Sequence, residues 1–254
     1  MKKAIALFVF LCLILSLTLN SSAESFSWYV NRNNENKQPK LDKNLSFIEK
    51  YNAFYANKTY NDNNPEKRIY LTFDAGYENG NIESILNTLK EENVKATFFI
   101  LENLIIKNPE LVLRMKNEGH LICNHTSTHI NIAKETNKEK IKSELENLEN
   151  LFFNLTSETM SKYFRPPEGS FDEESLKYIN NLGYKTIFWS FAYADWDNNN
   201  QMSEEKAKEK IFKNIHNGEI MLLHPTSKTN ALILKDIIQE LKLQGFCFGT
   251  VNEF

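Results

Sequence analysis

The sequence contains little cysteine and has no excess of positive charge. Only three cysteines occur in 254 residues. Cys123 and Cys247 each lie in an apolar run, which predicts two buried free thiols. In an oxidising compartment, a disulfide between them is the alternative. Thirty basic residues against 33 acidic ones give a net charge of −3. The chain therefore lacks the basic surface with which nucleic-acid-binding proteins contact phosphates, and we expect no nucleic-acid partner.

Long apolar runs are also scarce, since only residues 4–19 approach membrane-spanning length. This run follows Lys2 and Lys3 and precedes Ser21-Ser22-Ala23, an order typical of a signal peptide. Its helix would span about 24 Å, less than the roughly 30 Å of a hydrocarbon core. Cleavage after residue 23 is therefore favoured over a retained anchor. No cysteine lies at the cleavage site, which disfavours a lipoprotein anchor. We predict an exported, extracytoplasmic protein with no transmembrane segment after cleavage and a net charge of −5.

Two regions of different composition follow the predicted signal peptide. Residues 24–66 are rich in Asn and Lys and are predicted to form an N-terminal extension, with a solvated linker at 31–40. A short amphipathic piece at 45–55 should pack against the main domain. From residue 67 to 254, short apolar segments alternate with longer amphipathic ones, which predicts a single domain of parallel βα units.

Seven strands and six helices are predicted in this domain. The strands cover residues 69–74, 96–101, 120–124, 163–165, 184–190, 219–224 and 246–251. The helices cover residues 81–93, 108–118, 138–153, 172–182, 203–216 and 230–243. Such a chain is long enough to close into a barrel smaller than the eightfold one. An open, doubly wound sheet is the alternative.

Polar side chains that can bind a metal or take part in catalysis follow the predicted strands. His125 and His129, two of only five histidines, stand four residues apart. If they begin a helix, both imidazoles lie on one face and can hold a divalent metal. The pair alone is weak support, because this spacing often arises by chance. However, further polar residues also fall at or just after strand ends: Asp74, Arg165, Asp195 and His224. Because sites form at the carboxyl edge of parallel sheets, we expect these residues to meet in one pocket.

These residues lie in five short motifs that resemble those of a known family. The motifs, in order, are Thr72-Phe-Asp74, His125-x3-His129, Arg165-Pro-Pro167, Asp195-Trp196 and Leu222-Leu-His224. Together they resemble the polysaccharide deacetylase family (carbohydrate esterase family 4, the NodB-like domain) over residues 67–254. The resemblance implies a distorted (β/α)7 barrel, that is, an α/β catalytic domain. It also implies an enzyme that hydrolyses the N-acetyl group of an amino sugar in a glycan.

Finer detail resembles one subgroup of that family. The segments concerned are Thr72-Phe-Asp-Ala-Gly-Tyr-Glu-Asn-Gly80, Arg165-Pro-Pro-Glu-Gly-Ser-Phe171 and Phe188-Trp-Ser190. They are similar to sporulation enzymes that form muramic δ-lactam. This resemblance implies an N-acetylmuramic acid deacetylase acting on the peptidoglycan glycan strand of the spore cortex.

The resemblance also implies a role for each motif residue. Asp74 would be the general base and Arg165 would orient it. His224 would be the general acid, with its charge supported by Asp195. The sugar groove would be lined by Trp196, Leu222, Pro166 and Pro167. As alternatives, Asp74 could cap a helix or turn, and Trp196 could belong to the core.

His125 and His129 would hold a divalent metal, most simply zinc. The family pattern has a second metal-binding Asp directly after the base, but this chain has Ala75 there. A methyl group cannot bind a cation, so we expect a weakly held, exchangeable metal. Two other functions stay open. One is deacetylation of another N-acetylglucosamine polymer such as chitin. The other is a non-catalytic glycan-binding module, which Ala75 favours and the retained acid–base residues oppose.

Overall fold

The computed structural model describes residues 24–31 and 35–254. The predicted signal peptide, residues 1–23, lies outside this part of the chain. Within the described ranges, no helix has both the length and the apolar character needed to cross a bilayer.

Parallel strands form the wall of a curled α/β barrel. The ten described strands are β1 (Phe26–Ser27), β2 (Ala53–Phe54), β3 (Lys67–Ala75), β4 (Thr97–Ile100), β5 (Leu121–Asn124), β6 (Ser161–Phe164), β7 (Ser170–Phe171), β8 (Lys185–Ile187), β9 (Glu219–Leu223) and β10 (Phe246–Gly249). Eight of them form one sheet in the order β10-β3-β4-β5-β6-β8-β2, with β9 also paired to β3. A parallel bridge between Phe191 and Met221 joins the segment after β8 to β9. The seven predicted strands are all present, and the distorted (β/α)7 barrel is confirmed.

Helices cover the outside of this wall. The described α-helices are α1 (Ile82–Glu91), α2 (Glu102–Lys107), α3 (Pro109–Asn117), α4 (Lys138–Thr156), α5 (Glu173–Asn181), α6 (Glu204–Phe212) and α7 (Lys228–Leu243). In the described part of the chain, three 3₁₀ helices lie at Lys43–Tyr51, Pro167–Gly169 and Val251–Glu253. Local signals explain several starts: α3 has Pro109 in its first turn, and Asp172 caps α5 with a capping box. All six predicted helices are found. The short α2 was not predicted.

Strand β3 shows how the core fixes the site. Ile69, Leu71 and Phe73 belong to the cluster beneath the helices, whereas Tyr70 belongs to a second cluster. Side chains alternate between the two faces of a strand, so both faces of β3 are buried and its sequence is almost continuously apolar. The same alternation puts Asp74 on the face of Tyr70, towards the barrel interior.

The N-terminal extension packs onto this barrel. Its strand β2 pairs in parallel with β8, and β1 pairs with β7 in an antiparallel ladder. The Trp28 ring stacks on Phe188 with centroids 4.3 Å apart. A separate apolar cluster joins the extension to the domain: Trp28, Leu45, Ile48, Ala53, Tyr55, Ala56, Phe171, Leu176 and Phe188. The amphipathic piece at 45–55 thus covers the barrel next to β8.

The two described cysteines are both free. Cys123 is buried, as predicted. The prediction for Cys247 is wrong, since its side chain is exposed. Its neighbour Phe246 is buried, because successive side chains of β10 point to opposite faces and one face lies towards solvent.

Candidate active site

A cavity of about 740 Å³ opens at the carboxyl edge of the barrel strands. It receives Asp74 from β3, His125 directly after β5 and His224 directly after β9. The residues that line it are Asp74, Gly76, Tyr77, Leu101, His125, His129, Glu168, Gly169, Trp189, Ala192, Tyr193, Trp196, Leu222, His224 and Thr226. The structure thus brings the predicted aspartate and three predicted histidines to one space.

Arg165 holds Asp74 from below the cavity. Its Nη1 donates to Asp74 Oδ1 at 2.8 Å, while Nε and Nη2 donate to the carbonyl oxygens of Ile187 and Phe188. The guanidinium also lies 4.2 Å from the centroid of the Phe99 ring. Burial alone would raise the pKa of Asp74, but the charge of Arg165, then those of His125 and His224, holds that pKa below its usual range. Asp74 is therefore ionised near neutral pH.

The two metal-ligand candidates meet, although not by the predicted route. Residues 125–130 form a loop, so the prediction that a helix places both imidazoles on one face is wrong. His129 has a φ of 63°, in the left-handed region. The loop still brings the imidazoles together, with ring centroids 5.0 Å apart.

Polar contacts fix the shape of this loop. The Asn124 side chain accepts from Thr126 N at 2.8 Å. Further along, Thr128 donates through both its backbone N–H and its hydroxyl to the Glu144 carboxylate, at 2.7 and 2.9 Å. The neighbouring helix α4 therefore sets where His129 lies.

His125 is prepared to act as a neutral nitrogen ligand. Its Nδ1–H donates to the Arg165 carbonyl oxygen at 2.7 Å, which leaves a lone pair on Nε2, 3.6 Å from Asp74 Oδ2. Burial lowers the pKa of His125 to about 4, so the ring is neutral near pH 7. Burial also lowers the pKa of His129.

A third protein ligand is not evident. Among the described residues, no group of three or more His, Cys, Asp or Glu side chains is arranged to hold a metal ion. Ala75 is fully buried in the apolar cluster beneath the helices and does not line the cavity. The residues present therefore fit a site with two imidazole ligands, and a carboxylate is missing where the family pattern has one.

His224, which lines the cavity, forms a second ion pair with the buried Asp195. Its Nδ1–H donates to Asp195 Oδ1 at 2.8 Å, and its backbone N–H donates to Oδ2 at 2.8 Å. Burial lowers the pKa of His224, but the hydrogen bond and charge of Asp195, helped by the charge of Asp74, outweigh burial and raise it. With Nδ1 engaged, Nε2 is the atom left to face a substrate.

The predicted substrate-binding residues divide into two groups. Trp196, 64% exposed, and Leu222 line the cavity. Pro166 and Pro167 are buried and do not reach it, because the following residue, Glu168, takes a left-handed turn at φ 59° and comes to the cavity with Gly169.

The structure also places two acids that the sequence left unassigned. Glu168 lines the cavity and accepts from Asn131 Nδ2 at 2.7 Å. Glu78 lies apart from the cavity lining, where its carboxylate accepts from Ile82 N at the start of α1. Of these two acids, only Glu168 lies at the cavity.

Several site residues were given no role by the sequence analysis, although Tyr77 and Trp189 lie in segments that resemble the subgroup. Tyr77, which is 61% exposed, and Trp189 line the cavity, as does Tyr193. Asn230 lies behind Asp195 in the first turn of α7. Each sits in a loop or helix start whose partners are distant in sequence, so its position at the cavity could not be read from local pattern.

Comparison with known proteins agrees with this geometry. The sequence profile described as polysaccharide deacetylase matches residues 61–187. A curated relative, the peptidoglycan-N-acetylmuramic acid deacetylase PdaA of Bacillus subtilis, is 40% identical over 231 residues, covering 91% of this chain and 86% of the relative. The chain belongs to the polysaccharide deacetylase family. It is therefore an enzyme, a hydrolase that deacetylates polysaccharides, and deacetylases of this family are generally metal-dependent.

Solved structures and further relatives support the same placement. The structure of Bacillus subtilis PdaA, described as a family 4 carbohydrate esterase, superposes with a TM-score of 0.84 and covers 91% of this chain and 96% of that one. A peptidoglycan-N-acetylglucosamine deacetylase of Bacillus cereus is 34% identical, covering 75% of this chain and 89% of the relative. Relatives named for two different amino sugars thus share this fold.

Proposed function

We propose that this polysaccharide deacetylase acts on peptidoglycan and hydrolyses the N-acetyl group of N-acetylmuramic acid, towards muramic δ-lactam in spore cortex. The observation that carries the chemistry is the pair of opposed ion pairs, Arg165–Asp74 and Asp195–His224, at one cavity. One pair lowers the pKa of a carboxyl group and the other raises the pKa of an imidazole, as a general base and a general acid in amide hydrolysis require.

In the proposed reaction, Asp74 accepts a proton from a water molecule that attacks the acetyl carbon. Arg165 holds the carboxylate in place and keeps its pKa low, so the base is available near neutral pH. His224 then donates its Nε2 proton to the nitrogen of the leaving amine, while Asp195 stabilises the imidazolium. The products are acetate and an amino sugar whose freed amine lies beside the lactyl carboxyl group.

A divalent metal, with zinc as our first candidate, would be held by His125 Nε2 and His129 and would polarise the acetamide carbonyl. Since neither imidazole carries charge to offset a cation and Ala75 supplies no ligand, we expect weak and exchangeable binding.

The substrate assignment is supported by overall similarity. The relative named for N-acetylmuramic acid is more similar to this chain, at 40% identity, than the one named for N-acetylglucosamine, at 34%. Trp196 at the cavity mouth offers an aromatic face on which a sugar ring can stack. A peptidoglycan substrate also fits export by the predicted signal peptide.

Product analysis by mass separates the candidate functions. The mature chain is incubated with peptidoglycan whose stem peptides have been removed from muramic acid, and separately with chitin oligomers. Acetyl loss confined to muramic residues supports the proposal. Loss on chitin alone supports the second enzyme function, and binding without acetyl loss supports a glycan-binding module.

Two variants test the assigned roles. Asp74→Asn and His224→Ala should each lower turnover by about 10²-fold or more if they remove the base and the acid. A surface control, Lys208→Met, breaks an ion pair with Asp236 on the helical exterior and should leave turnover unchanged. Wild-type turnover in either active-site variant would overturn that residue's role.

A further inference from the structure

We propose that Asn230 is a positioning residue for the His224–Asp195 pair, and that the Tyr193 hydroxyl fixes the orientation in which Asn230 acts. The role of His224 as the general acid rests on the proposed function. The contacts that carry the proposal do not.

Asp195 is held by three donors with almost no access to water. Its Oδ1 accepts from His224 Nδ1 at 2.8 Å, and its Oδ2 accepts from the His224 backbone N–H at 2.8 Å and from Asn230 Nδ2 at 2.6 Å. The residue is only 1% exposed, so solvent cannot readily replace a lost donor. The carboxylate direction therefore depends on these three bonds.

Asn230 ties both members of the pair together. Besides Asp195 Oδ2, its side-chain amide donates to the His224 carbonyl oxygen at 3.1 Å. The residue is 2% exposed, and its own backbone N–H is capped by Ser227 Oγ at 3.1 Å in the first turn of α7. A rigid helix start thus holds the amide against the acid–carboxylate pair.

Tyr193 sets which end of the Asn230 side-chain amide faces Asp195. An amide has a donor end and an acceptor end of similar size, and the acceptor end would repel Asp195. The Tyr193 hydroxyl donates to Asn230 Oδ1, which directs Nδ2 towards the carboxylate. Burial, together with the charge of Asp195, raises the pKa of Tyr193, so the hydroxyl keeps its proton.

The charges around His224 give the expected direction of change. Asp195 and Asp74 raise its pKa, whereas burial and Arg165 lower it. If Asp195 is no longer held against Nδ1, burial gains weight and the pKa of His224 should fall. The imidazolium would then be less populated at neutral pH and less well aimed at the substrate.

A double-mutant cycle in the mature chain tests both parts of the proposal. Asn230→Ala should lower kcat by about 10-fold or more and leave KM within about twofold, because the lost contact orients a group that acts in the transition state. Tyr193→Phe should cause a smaller loss in the wild-type background and no further loss in the Asn230→Ala background. Titration of His224 by NMR, assigned by comparison with His224→Gln, should show a lower pKa in Asn230→Ala.

A matched control comes from the opposite end of the barrel. Asn57 is also buried and donates through Nδ2 to a tyrosine hydroxyl, that of Tyr70, at 2.8 Å. Asn57→Ala should lower stability but leave kcat and the His224 titration unchanged. A similar kcat loss in this control would show that buried asparagines affect turnover only through general stability.

The remaining outcomes are distinct. Unchanged kcat and His224 titration in Asn230→Ala overturn the positioning role. An equal loss from Tyr193→Phe in both backgrounds overturns the orienting role and indicates direct contact with substrate, since Tyr193 lines the cavity. Absence of acetyl release by the wild type on either glycan refutes the proposed function instead, and the titration then still tests the positioning of His224.

Discussion

Replacing Arg165 by methionine tests the pairing that keeps Asp74 ionised in a buried position. The Arg165 side chain is 0% exposed and that of Asp74 is 10% exposed. Removing one partner of a buried ion pair costs about 3–5 kcal/mol of unfolding free energy. The substitution also removes the donors to the carbonyl oxygens of Ile187 and Phe188. We therefore expect a loss near the upper end, about 5 kcal/mol at neutral pH.

The size of this loss should depend on pH. In the wild type the pKa of Asp74 lies below its ordinary value of 3.8, so its charge adds stability above that pH, and this stability disappears as pH falls through the lowered pKa. In Arg165→Met the cationic partner is gone and burial dominates, so the pKa of Asp74 should be raised. The loss of unfolding free energy in Arg165→Met should therefore be largest near pH 7, where Asp74 is charged, and smaller in acid, where its carboxyl group is neutral.

Urea unfolding of both proteins at about pH 7 and about pH 5 measures this difference. The gap in unfolding free energy should narrow at the lower pH. As a control, Lys208→Met breaks a surface pair with Asp236 and should change stability by less than about 0.5 kcal/mol at either pH. A gap for Arg165→Met that is the same at both pH values would show that the charge of Asp74 is not the source of the loss.

Three further results are expected. The wild-type kcat/KM should rise as pH climbs through the pKa of Asp74, below 3.8, and fall as pH passes the pKa of His224, above 6.5; an alkaline limb below 6.5 in steady-state assays would contradict the assignment of the acid. Dialysis against a chelator should lower deacetylation and added zinc should restore it, whereas no change in either step would remove the metal from the mechanism. A maleimide should label Cys247 in the folded chain and reach Cys123 only after unfolding, and equal labelling of both in the native state would contradict their different exposure.

The fold and the position of the site follow from short-range patterns. Alternation of apolar and amphipathic segments is a local property, so all seven barrel strands could be predicted with small boundary errors. The site followed because Asp74, His125 and His224 come at the ends of strands that run parallel. Parallel strands bring their carboxyl ends to one edge, whatever the details of the loops.

The parts that could not be predicted depend on contacts between distant segments. The His125–His129 spacing suggested a helix, but Asn124 and Glu144 hold the segment as a loop. The extension was predicted to pack on the domain, yet nothing local showed that Trp28 would reach the site wall. Its backbone N–H donates to the Gly169 carbonyl oxygen at 2.8 Å and its Nε1 donates to that of Trp189 at 2.9 Å.

These two hydrogen bonds of Trp28 join the N-terminal extension to the wall of the cavity. Gly169 and Trp189 line the cavity, and a Cβ at Gly169 would lie 2.7 Å from the Trp189 ring and 3.0 Å from Trp28 Cβ. The glycine, with φ of 61°, therefore permits a close three-way contact that only the extension completes.

Because Ala75 stands where the family pattern has a carboxylate ligand, we expect catalysis to depend mainly on the two ion pairs, Arg165–Asp74 and Asp195–His224. The acidic side chains that line the cavity are Asp74 and Glu168, and the charge of Asp74 is already balanced by Arg165. A cation at His125 and His129 would thus meet little uncompensated negative charge. We therefore expect the charges that develop during amide hydrolysis to be stabilised mainly by groups whose own partners lie inside the protein. Each pair has such partners: Arg165 is anchored on two carbonyl oxygens, and Asp195 on Asn230. We therefore expect turnover to persist with Ala75 at this position, provided that these buried anchors stay intact.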